Sequence, residues 1–153
     1  MVIAAEELAK RGYYVLPMEN LDEEPLVSGN PRRIEYALTP LRSDFADMFH
    51  QIQCAAYLGS NSGISVAPLI YRSPVGYVNY ELGLVNQLTI VSQTPFIIQH
   101  LWHRETRCFL GLREVYELGL MDSSESRMYE LAGVGVVSNT QEEICDLAVK
   151  LDE

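Results

Sequence analysis

Apolar residues recur at helical spacing from the first residues of the chain. Ile3, Ala4, Leu8 and Ala9 alternate with Glu and Lys, which predicts a helix over Val2–Lys10 closed by Gly12. Residues 13–18 (YYVLPM) read as a strand entering a sheet. Residues 19–33 (ENLDEEPLVSGNPRR) form a polar loop bearing Pro and Gly, and 34–37 a short strand. Ser43 stands where a helix over Asp44–Gln53 needs its N-cap; Asp44 and Asp47 suit the first turn, and Phe45, Met48 and Ile52 make the apolar face. Residues 54–58 predict a strand, 62–71 a helix and 75–79 another strand. Beyond these, 88–91 and 96–98 are short extended pieces, 112–118 and 125–132 short helices closed by Gly119 and Gly133, and 134–137 a last strand. Asn139 or Thr140 caps a terminal helix whose stripe is Ile144, Leu147, Ala148 and Leu151.

This alternation predicts an α/β fold: a three-layer sandwich around a mostly parallel sheet, with residues 1–153 as one domain. A doubly wound domain normally opens on a strand. This chain opens on a helix, so the expectation is a piece that starts partway through a larger protein.

Composition narrows the partners. Lys plus Arg number 11 against 21 Asp plus Glu, a net charge of −10, whereas a nucleic-acid surface needs a basic stripe. The acidic runs at 19–24 and 142–153 read as solvated surface. With 48% hydrophobic and 21% charged residues the chain is globular, and no apolar run approaches the ~20 residues of a transmembrane helix. Glu6 and Glu7 interrupt the apolar start, so it does not read as a secretory signal. Cys54, Cys108 and Cys145 are odd in number, with neither a CxxC spacing nor a disulfide framework, so a reduced, cytoplasmic setting is expected.

The most informative stretch is 54–80, CAAYLGSNSGISVAPLIYRSPVGYVNY, read as strand, small-residue turn, helix and strand. In a parallel sheet the turn lies at the carboxyl end of its strand and a helix N-terminus points at whatever binds there. The N–H groups of Ser62, Gly63 and Ile64 would then face a phosphate or carboxylate, with Ser60, Asn61 and Ser62 adding side-chain donors. The turn has no Lys for a Walker loop and no GxGxxG spacing, and it reads equally well as a plain strand-to-helix turn.

Arg42, just before Ser43 and Asp44, could fork onto a ligand phosphate; as a surface residue it would pair instead with Asp44 or Asp47. His100 and His103 would share a helix face, but no third ligand lies nearby, so no metal site is expected. Trp102 reads as a packing residue, and no G-x-S-x-G elbow is present.

Five blocks, in order, resemble a family of bacterial glycosyltransferases of surface-polysaccharide synthesis: AAEELAKRGYYVLPM, IEYALTPLRSDFADMF, CAAYLGSNSGISVAPLIYRSPVGYVNY, RCFLGLREVYELG and GVGVVSNTQEEICDLAVKLDE. They cover nearly all of the chain, and the third is the most specific. The resemblance implies one Rossmann-like half of a GT-B architecture, the C-terminal half that binds a nucleotide-sugar donor. The N-terminal acceptor domain would be missing from this chain, or its place would be taken by a homologous subunit. By position, Ser60, Asn61, Ser62, Gly63, Ile64 and Arg42 would contact the donor diphosphate, while Ser43, Asp44, Asn79 and Glu19 would line the cleft. No metal or other cofactor is implied, and a general base would lie in the missing half. One departure stands out. Where the family pattern ends its first strand in Arg-Met-Gly, this chain has Leu16-Pro17-Met18-Glu19, which leaves Arg42 as the main nearby cation. A non-catalytic nucleotide or sugar-phosphate binding module, or an inactive gene fragment, are the other readings.

Overall fold

The computed structural model describes residues 1–18, 29–85 and 94–152. Glu19, most of the acidic loop, the extended piece expected at 88–91 and Glu153 lie outside the described residues.

Helix α1 (Val2–Lys10) ends as its sequence predicts. Gly12 takes φ +105°, and the N–H groups of Gly12 and Tyr13 donate back to the Ala9 and Leu8 carbonyls, both at 3.1 Å. This is a Schellman closure, and the left-handed position is the one that favours glycine. The strand expected at 13–18 is reduced to a single parallel bridge, Val15 to Arg33. Pro17 has no N–H to carry the ladder further. The strand expected at 34–37 is replaced by a 3₁₀ turn, Tyr36–Leu38. Tyr36 is drawn inward there: its hydroxyl donates to Asp47 Oδ1 at 2.8 Å, and Thr39 Oγ1 donates to the Tyr36 carbonyl.

Helix α2 (Asp44–Gln53) starts at Ser43, whose Oγ accepts from the Ala46 N–H at 3.2 Å. Cys54 closes this helix rather than opening a strand, and the strand β1 is Tyr57–Gly59. The helix expected at 62–71 divides into a 3₁₀ turn, Gly63–Ser65, and helix α3, Val66–Ile70. A continuous α-helix from 62 would need Pro68 to donate an N–H to the Ile64 carbonyl, and proline has none. Restarting at Val66 places Pro68 in a first turn, where that loss costs nothing.

Strands β1, β2 (Val75–Tyr80) and β3 (Phe96–Ile98) form a parallel sheet in that order. Its faces follow the strand period of two. Val75 and Tyr77 pack with Tyr57 and with Leu69 of α3. Val78 points the other way, onto Ala4 of α1 and onto Ile144, Leu147 and Ala148 of the terminal helix. Asn79, at φ +51°, breaks the alternation, and the register with β3 shifts between Tyr77 and Tyr80. Tyr80 therefore returns to the face of Tyr77, the two rings meeting edge to face at 5.2 Å.

A second sheet, β5-β4-β6, is antiparallel: β4 is His100–His103, β5 Cys108–Phe109 and β6 Val134–Val137. The last strand expected from the sequence thus exists but pairs with β4, not with the parallel sheet. Helices α4 (Leu112–Glu117) and α5 (Ser126–Leu131) accompany it over a core of Leu82, Leu101, Val115, Leu120 and Val134. The chain is thus a mixed helix and strand fold with a three-stranded parallel sheet, joined to an antiparallel unit that the helix–strand alternation did not reveal. The terminal helix α6 (Gln141–Leu151) lies against α1 and β2. Among the described residues no helix is long and apolar enough to cross a membrane.

Candidate functional site

The carboxyl edge of the parallel sheet carries the residues that follow its strands: Ser60 after β1, Glu81 after β2 and Gln99 after β3. Side chains from below fix the first of these. Tyr77, on the central strand, donates its hydroxyl to Ser65 Oγ at 3.4 Å, and Ser65 Oγ donates to the Ser62 carbonyl at 2.7 Å. The Ser62 N–H does not face outward as expected; it donates to the Ser60 carbonyl at 2.8 Å. Gly63 and Ile64 head the helical turn, and their N–H groups make no hydrogen bond among the described residues. Ser60 and Gly63 are exposed, Asn61 and Ile64 half-buried. The Ser62 Oγ is buried without a hydrogen-bond partner, and open space surrounds the position a Cβ would take on Gly63.

Arg42, Ser43 and Asn79 of the expected donor cluster have local partners. Arg42 Nε lies 3.5 Å from Asp47 Oδ2, the surface pairing that the sequence offered as its alternative role. Ser43 is the cap of α2, and Asp44 is exposed in its first turn. Asn79 does reach the carboxyl edge, but its polar groups are engaged. Its N–H donates to Asn139 Oδ1 and its Oδ1 accepts the Asn139 N–H, each at 2.6 Å, while Asn139 Nδ2 donates to the Ile98 carbonyl at 2.7 Å. Glu19 lies outside the described residues.

This Asn79–Asn139 clasp brings to the edge an element that the sequence reading had not placed there, the N-terminus of α6. Thr140, not Asn139, is its cap: Thr140 Oγ1 accepts the Glu143 N–H, and Glu143 Oε2 accepts the Thr140 N–H at 2.8 Å. The same carboxylate oxygen meets His100 Nε2 at 2.9 Å. The His100 contact, then the Thr140 N–H, hold the Glu143 carboxyl below its ordinary value.

Two grooves adjoin this edge. One of about 480 Å3 runs beside Ile98, His100, Phe109, Asn139 and Glu143. The other, about 360 Å3, is bordered by Glu81, Gln99, Arg104, Tyr129 and Glu130. Sequence reasoning missed both, although Gln99, just past the strand expected at 96–98, and Glu81, two residues past the one expected at 75–79, could have been found. His100 and His103 lie on a strand, where positions three apart face opposite sides, so the shared helix face does not exist. Trp102 packs edge to face on Phe109 at 5.0 Å. Among the described residues no three His, Cys, Asp or Glu side chains converge as metal ligands.

Compared with known proteins, the chain matches no family model, no curated sequence and no solved structure.

Proposed function

We propose that this chain is the donor-binding half of a cytoplasmic bacterial glycosyltransferase, a Rossmann-like, three-layer half of a GT-B architecture. It would hold a nucleotide-sugar whose sugar is transferred to a glycan or lipid-linked acceptor carried by a separate acceptor domain. The observation that carries this reading is the parallel β1–turn–α3–β2 unit, which has its small-residue turn at the carboxyl edge. That edge is where open α/β sheets bind ligands. The free N–H groups of Gly63 and Ile64 would donate to the diphosphate, stabilising the charge that develops as it leaves. No step here requires a metal.

The test is a thermal-shift panel of UDP, GDP, ADP, CMP and dTDP. A nucleotide at about 100 times its dissociation constant stabilises the fold by about 2.7 kcal/mol. Gly63→Val should abolish that shift without unfolding the protein, because the added side chain enters open space. No shift with any of the five overturns the reading. One observation favours a second reading, a non-catalytic nucleotide or sugar-phosphate module: Arg42 is already ion-paired with Asp47. Sugar transfer upon adding an acceptor half would rule that second reading out.

A further inference from the structure

We infer that the outer face of α2 and α3 is an interface between two copies of this chain, packed about a twofold axis with α2 antiparallel to its symmetry mate. Apolar residues of α2 are turned to solvent: Phe45 is 79% and Phe49 50% exposed, with Leu41, just before the helix, at 77%, while the buried residue of the helix is Gln51. Helix α3, packed alongside, leaves Val66, Ile70 and Tyr71 uncovered as well. At about 200 Å2 for a large side chain, these six expose roughly 750 Å2. Their summed area approaches the ~800 Å2 each partner contributes to a stable complex.

The charges around the patch select a second copy as its occupant. Although the chain carries −10 overall, this rim holds Arg42, Arg72, Asp44 and Asp47, two of each sign, so like copies do not repel here. Arg42 and Asp47 pair with each other, whereas Asp44 and Arg72 have no ion-pair partner among the described residues. Asp44 opens α2. Arg72 lies beside its far end, where the neighbouring Ser73 Oγ donates to the Ile52 carbonyl at 3.1 Å. A ten-residue helix is ~15 Å long, so the two cannot meet within one chain. Antiparallel pairing sets Asp44 against the partner's Arg72 twice over and opposes the two helix dipoles favourably.

Sedimentation equilibrium from low to high micromolar concentration tests this. The expected result is a reversible rise from 17.3 kDa to twice that mass. Phe45→Glu should hold the chain at the lower mass with an unchanged circular-dichroism spectrum. Asp44→Arg should weaken the dimer by at least about tenfold, and Asp44→Arg with Arg72→Asp in the same chain should restore it. A single 17.3 kDa species throughout, open-ended polymers in place of dimers, or a double swap that fails to restore association would each overturn the inference.

Discussion

Helices α2 and α6 were written in nearly the same way and came to opposite ends. Each has a capping side chain, acids in its first turn and an apolar stripe at helical spacing. The stripe of α6 closes over β2 and α1, burying Ile144, Leu147 and Ala148. That of α2 faces outward, because α2 packs on the short helix α3 at the margin of the sheet. Periodicity reports that a stripe exists; whether anything covers it depends on which element the chain brings over it.

Core truncation should separate the two helices most widely. Leu147→Ala removes side-chain volume from a closed core and should cost about 2–5 kcal/mol in urea-melt stability. Phe45→Ala should stay within about 0.5 kcal/mol when measured on the monomer. A comparable loss from both would mean that the α2 stripe is covered within the chain.

Next in size is the clasp that ties α6, but not α2, to the carboxyl edge. Asn139→Ala removes two hydrogen bonds and leaves the Asn79 N–H and the Ile98 carbonyl without these partners, for an expected loss of about 2–3 kcal/mol by thermal melt. Hydrogen exchange at Asn79 should speed up in the same variant. Unchanged protection there would show that the αL turn at Asn79 is held by something other than Asn139.

The smallest effect is electrostatic. Glu143 is held below its ordinary carboxylate value of 4.5, chiefly by His100. A depressed carboxylate contributes stability above its unfolded value, and this is lost as the pH falls through the lower folded value. His100→Ala should therefore move the acid-unfolding midpoint to higher pH. Because the Glu143 side chain is two-fifths exposed, solvent screening keeps the shift small. An unmoved midpoint would place the acid-sensitive contact elsewhere; Asp152, held low by Tyr13 and then by Arg11, is the next candidate.

The sequence by itself determined what depends on neighbours a few residues away. The Schellman stop at Gly12, the Ser43 cap, the strand expected at 75–79 and the α6 stripe are all short-range matters of propensity, capping and period. The small-residue turn at 59–63 was legible for the same reason, as was its place after a strand. The tertiary structure decided what depends on partners far along the chain. It made 13–18 a lone bridge, drew Tyr36 out of a strand and onto Asp47, and set β6 against β4 instead of the parallel sheet. It also engaged Asn79 with a residue sixty positions away, bringing the N-terminus of α6 to the edge where donor-binding residues were expected. Hydrogen-bond pairing between strands and the covering of a helix face are bought with long-range loop closures, and no local window of sequence contains both partners.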